Sequence, residues 1–226
     1  TTTPVVFSAV TEPISAGLVA SYNPEPNSNI TGVSDLTPVA DQVALFLRVT
    51  GARKLGMVYT SSEANSIVQM EMARDAAEKA GAEFIAAAVA NSAEVRMATQ
   101  SIIDRVDGIY IAIDNTVVSA ITSVADVAAK AGKPLFNADT TSSEGIPFFM
   151  SWGFEYYNFG TATGKLVERI IKGEKPGEMG TTFLNDPELV ELWINLDVAH
   201  ALKIEIPSDV MAMASVVIEN GVKEFR

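Results

Sequence analysis

Between Lys54 and Ala138 the chain alternates short apolar runs with amphipathic stretches, and this alternation restricts the fold more than any other feature. Lys54–Thr60 (KLGMVYT) reads as a buried strand. Glu63–Ala80 follows with Ala73, Ala76, Ala77 and Ala80 at i, i+3, i+4 and i+7, an amphipathic helix closed by Gly81. Strand Glu83–Val89, helix Ala93–Val106, strand Gly108–Ile113, helix Thr116–Ala131 with Gly132 after it, and strand Pro134–Ala138 repeat the pattern. Consecutive βα units return over the faces of one sheet, so the expected fold class is α/β with a parallel sheet covered on both sides.

The flanks read differently. Strand Pro4–Val10 precedes a Pro/Asn/Ser-rich stretch from Tyr22 to Ser28 that carries turn signals and no apolar period. Thr37–Val49 is helical, with Thr37 as N-cap and Pro38 at the first helical position. After Asp139 come a Thr/Ser/Gly loop (Thr140–Gly145), a strand Phe148–Gly153, a helix Tyr156–Lys172 and a Gly/Pro-rich turn through Gly180, a return to a different layer. Leu189–Leu196 is a further strand and Asp197–Leu202 a short helix, while Ser208–Ile218 is an apolar closing segment without an assigned place. The expected organisation is a first lobe from residues 1–35 and 140–186, a second from 36–139, and a crossover and closing segment, 187–226, packed on the second.

Composition narrows the function classes. The 226 residues are 48% hydrophobic and 19% charged, enough for a sizeable core. No apolar run approaches the roughly 20 residues a membrane helix needs. Sixteen Lys+Arg against 28 Asp+Glu leave a net charge of −12 without a basic stripe, so nucleic acid is not an expected partner. The absence of Cys excludes disulfides and thiolate chemistry. The chain starts Thr1-Thr2-Thr3, with neither Met nor a leader pattern, which reads as the result of a removal upstream.

In open parallel sheets ligands bind beyond the carboxyl ends of the strands, and here those ends are polar. They carry Thr11-Glu12, Ser61-Ser62 with Asn65-Ser66, Asn91-Ser92, Asp114-Asn115 and Asp139-Thr140. Such residues also cap helices, which is the plain alternative for each of them. Ser61–Ser66 opens a helix whose unpaired amides and dipole favour an anion such as a ligand carboxylate. Asp114 and Asp139 follow neighbouring strands, and two buried acids without a basic residue call for a cation, which a ligand ammonium supplies. Together these features describe a site for a zwitterion, with Thr11, Asn65, Ser66, Asn91, Asp114, Asn115 and Asp139 as the ligand-facing candidates.

Other chemistries find less support. No Gly-x-Gly-x-x-Gly follows a strand, and Gly160-Thr161-Ala162-Thr163-Gly164-Lys165-Leu166 departs from a phosphate loop in its spacing and in Leu166. His200 is the sole histidine, and no Gly-x-Ser-x-Gly elbow is present. Asp114 and Asp139 as Mg²⁺ ligands in phosphotransfer would lack the cationic residues that hold phosphate oxygens. No catalytic residue, metal or cofactor is expected.

Val5-Val6-Phe7-Ser8-Ala9-Val10-Thr11-Glu12-Pro13, Asn29-Ile30-Thr31-Gly32-Val33-Ser34-Asp35, Glu63-Ala64-Asn65-Ser66, Asp114-Asn115-Thr116-Val117-Val118-Ser119 and Asn195-Leu196 ahead of Ala199-x-Ala201-Leu202-x-Ile204-x-Ile206-Pro207 stand in one order along the chain. In that order they resemble the substrate-binding components of ABC transporters for tryptophan, tyrosine and related solutes. The resemblance implies a type I periplasmic-binding-protein fold: two Rossmann-like lobes joined by crossovers, with the ligand held in the cleft. It implies that Asn65, Ser66, Asp114 and Asn115 face the ligand, with Thr11 and Asp139 at the cleft edges. It implies an extracytoplasmic protein, lipoprotein-anchored in some precursors, that hands an amino acid to an ABC permease without chemistry. Family members carry further βα units before the strand matching Pro4–Val10, so lobe one is expected to be incomplete and to associate through its open side or with a cleaved N-terminal fragment. The alternative is a cytoplasmic small-molecule sensor or an enzyme on the same doubly wound layers.

Overall fold

The structure, a computed structural model, describes residues 2–184, 186 and 189–226. The chain runs β1 (Val5–Ser8), β2 (Ile30–Ser34), α1 (Val39–Thr50), β3 (Lys54–Thr60), α2 (Ala64–Lys79) and β4 (Glu83–Val89). It continues through α3 (Val95–Ile102), β5 (Gly108–Ile111), α4 (Asn115–Ser119), α5 (Ile121–Lys130), β6 (Leu135–Asn137) and β7 (Met150–Phe154). Then follow α6 (Tyr156–Ile171), β8 (Thr181–Phe183), β9 (Val190–Asn195), α7 (Leu196–Leu202), α8 (Ser208–Met213), β10 (Val216–Glu219) and β11 (Val222–Phe225). These elements gather into two compact units: residues up to Thr37 with Phe154–Val190, and Pro38–Gly153 with Glu191–Arg226.

The larger unit is built on eight strands in the order β11-β10-β9-β7-β6-β5-β3-β4. β4, β3, β5, β6 and β7 pair in parallel, as the βα alternation requires. Side chains of a strand alternate between faces, and the core follows that rule. Leu55, Met57, Tyr110 and Phe136 pack on the side of α1 and α2, whereas Val58, Ile109, Ile111 and Leu135 pack on the side of α3 and α5. Both faces are apolar because both are covered.

Four features depart from the sequence reading. Thr140–Gly153 stays in the larger unit instead of leading to the other lobe, because β7 continues the sheet with Phe136 opposite Met150 and Asn137 opposite Ser151. The helix expected over Thr116–Ala131 is two helices, broken at Ala120, whose φ of −116° leaves the helical region and whose carbonyl accepts Ser123 N–H to begin α5. Pro38 rather than Thr37 stands at the N-cap of α1. The closing segment becomes α8 and a β10–β11 hairpin turned at Asn220-Gly221, both at positive φ. The expected boundary at 186/187 adjoins residues 187 and 188, which lie outside the described residues.

In the smaller unit β1, β2 and β8 form a parallel sheet with β2 in the middle. Val33, Phe154, Phe159 and Leu166 form its core, which places α6 on the sheet. A Cβ on Gly32 would lie 2.3 Å from the Phe7 carbonyl oxygen and equally close to its ring, so only glycine admits this approach of β1 to β2.

Candidate functional site

In the larger unit the loops after β3 and β5 are tied together side chain by side chain. Asp114 is 1% exposed, and both its oxygens are engaged. Oδ1 accepts from Val117 N–H (2.9 Å), capping α4, and from Thr60 Oγ1 (2.8 Å). Oδ2 accepts from Thr60 N–H (2.7 Å) and from the hydroxyl of buried Ser66. The acid is therefore satisfied from within, and the geometry gives it the work of cap and strand tie in place of the ammonium partner expected from sequence.

Glu63 is a residue the sequence reading passed over. It occupies the N-cap position of α2 without capping it. Its carboxylate crosses to the next loop and takes Asn115 N–H (3.3 Å), Asn115 Nδ2 (3.1 Å), Thr116 N–H (3.2 Å) and Thr116 Oγ1 (2.6 Å). The start of α4 is closed by this carboxylate, while the first-turn amides of α2, on Ala64, Asn65 and Ser66, have no hydrogen-bond partner among the described residues. Asn65 donates Nδ2 to Ile113 O (3.0 Å) and is half-buried.

Asp139 stands differently. Its Oδ1 accepts from Thr141 N–H (3.0 Å) and Thr141 Oγ1 (2.6 Å), and Oδ2 has no partner among the described residues. The backbone below is held firmly: Asn137 Nδ2 and Ser143 Oγ both donate to Asp139 O, and Ser151 Oγ donates to Asn137 O. Asn137, Ser143 and Ser151 are buried, so the acid projects from a fixed support.

Asn91, after the edge strand β4, bonds within its own turn, accepting from Ala93 N–H and donating to Glu94. The structure thus brings Asn65, Ser66, Asp114 and Asn115 into one network, places Asp139 in the loop after β6, the strand beside β5, and leaves Asn91 out. Thr11 belongs to the smaller unit, where its carbonyl accepts from Ser34 Oγ (2.8 Å). Beside it, Glu12 accepts the phenol of Tyr22 and the backbone and hydroxyl of Ser15. Burial opposes the charge on Glu12, but these hydrogen bonds outweigh it and hold the carboxyl below its ordinary value. Burial and the neighbouring Glu12 push the Tyr22 phenol up to about 12.

Residues 1–218 match the family described as ABC transporter substrate binding protein. The chain belongs to that family. It is 31% identical over 204 residues to a tyrosine-binding protein of Clostridioides difficile (strain R20291), across 89% of this chain. It spans 57% of that relative's length. Among solved structures it resembles a conserved domain protein from Vibrio cholerae O1 biovar El Tor N16961 (38% identity, TM-score 0.87, covering 95% of this chain and 71% of the other). It also resembles an ABC domain in complex with L-Trp from Streptococcus pneumoniae (33% identity, TM-score 0.86, 95% and 73% covered). These matches establish the type I periplasmic-binding-protein fold. The family is one of substrate-binding proteins. Among the described residues no helix is long and apolar enough to cross a membrane, and no three His, Asp or Glu side chains gather as a metal site.

Proposed function

We propose that this ABC substrate-binding protein works outside the cytoplasm, capturing a zwitterionic amino acid with an aromatic side chain and delivering it to an ABC importer. The observation that carries the reading is a pair of open groups on the loops after β3 and β6, two strands of one sheet that flank β5. The first-turn amides of α2 are free to receive a carboxylate, and Oδ2 of Asp139 is free to receive an ammonium. The tyrosine-binding relative and the neighbour bound to L-Trp support an aromatic ligand.

The test is calorimetric titration with tyrosine, tryptophan and their deaminated analogues. The parent should bind the amino acids and discriminate against the analogues. Asp139→Asn should lose at least about tenfold in amino-acid affinity, since truncating one partner of a desolvated charge pair costs about 2–5 kcal/mol. Equal binding of tyrosine and its deaminated analogue by the parent would remove the ammonium from the reading.

A further inference from the structure

We propose that Gln69 is the positioning residue of the ligand-binding surface, the group that fixes where the β5–α4 loop carries Asp114 and Asn115. This rests on the ligand-binding reading above. Ile113 lies beyond the end of β5 and is buried, so its peptide groups have left the sheet ladder and still need partners. Gln69 supplies both. Its Oε1 accepts Ile113 N–H (3.1 Å) and its Nε2 donates to Ile113 O (2.7 Å), so a side-chain amide on α2 stands in for the peptide of a neighbouring strand. Gln69 is fully buried. The next residues are held by the same helix and its cap: Asp114 by Ser66, and Asn115 and Thr116 by Glu63. The loops after β3 and β5 are therefore tied into one surface, and Gln69 is a fully buried anchor of it, out of reach of a ligand at the strand ends.

A second buried glutamine of the same unit provides the control. Gln42 donates to Trp152 O (2.6 Å) and accepts from Tyr110 (2.7 Å), partners within β7 and β5. The experiment compares Gln69→Leu, Gln69→Glu and Gln42→Leu by hydrogen exchange of the empty proteins and by titration with tyrosine and tryptophan. Both Gln69 variants should speed exchange at the Ile113 and Val117 amides by at least about tenfold relative to Gln42→Leu, as expected of local opening. Both should also lose ligand affinity by a similar factor. Gln42→Leu should lower the melting temperature and leave affinity at the parent's value. Gln69→Glu keeps the size and the acceptor for Ile113 N–H, so it reports even if Gln69→Leu fails to fold. The proposal is overturned if exchange at Ile113 and Val117 is the same in the Gln69 and Gln42 variants, or if a folded Gln69 variant binds as tightly as the parent. Should the parent take up neither amino acid, the ligand reading falls and the exchange comparison alone decides the role of Gln69.

Discussion

Asp114 and Asp139 are one residue type, each following a strand of the same parallel sheet, and only their surroundings separate them. Asp114 accepts four hydrogen bonds and is sealed from solvent, whereas Asp139 spends one oxygen on Thr141 and keeps the other. Asp114→Asn should therefore destabilise the empty protein. An asparagine preserves the Val117 cap through its oxygen but turns an amide donor toward the Thr60 N–H, leaving buried donors facing each other at a cost of about 1–3 kcal/mol. Urea unfolding of the variant would show it, and an unchanged midpoint would count against the strand-tie role. The sequence placed both acids at strand ends. It did not separate them, because saturation of Asp114 comes from Thr60 and Ser66, which lie 54 and 48 residues away.

At the scale of elements, the stretch between β1 and β2 is latched to its own start by Tyr22 on Glu12. The phenol's raised value in the folded state means that its contribution is whole below the ordinary tyrosine value, near 10, and is lost as pH rises toward about 12. The lowered Glu12 carboxyl gives the opposite limb, a contribution present above the ordinary carboxyl value and lost on acidification below it. Tyr22→Phe should be less stable than the parent near neutral pH by about 1 kcal/mol, and the gap should close at the alkaline end. Parallel denaturation curves from neutral to alkaline pH check this, and a constant gap would dissociate the latch from the phenol's ionisation. Elements with strong periodicity, such as α2 and β3, were legible from sequence. The β10–β11 hairpin was missed although Asn220-Gly221, a favoured two-residue turn, marks it, because an apolar run without clear alternation hid the strands on either side. Gln69 left a fainter sign, a polar residue on the buried stripe Ser66, Gln69, Met70, Ala73 of an amphipathic helix.

For the whole molecule, the alternation from Lys54 to Ala138 was sufficient to give the parallel, doubly covered sheet, since few topologies accommodate it. The course after Asp139 was harder to read, because β7 joins the sheet without a helical crossover and only pairing with β6 reveals it. The units differ in apolar content. The smaller rests on Val33, Phe154, Phe159 and Leu166, the larger on two extended clusters on either face of its sheet. Amides of β1 and β2 should accordingly exchange through openings of lower free energy than those of β5 and β6. Native-state hydrogen exchange at increasing denaturant measures this, and a single shared opening energy would show the two units to be one cooperative block.

Both units are assembled from separated stretches of chain, with passages at Thr37/Pro38, Gly153/Phe154 and Val190/Glu191. On a ribosome β2 is made well ahead of its neighbour β8, which appears only after some 145 further residues, and β9 and β10, which extend the large sheet past β7, come later still. The smaller sheet is complete only once β8 has been made, and the larger only once β9, β10 and β11 have followed. A chain interrupted between β7 and β8 holds two half-built sheets with bare margins, and cellular quality control meets it as an unfinished product.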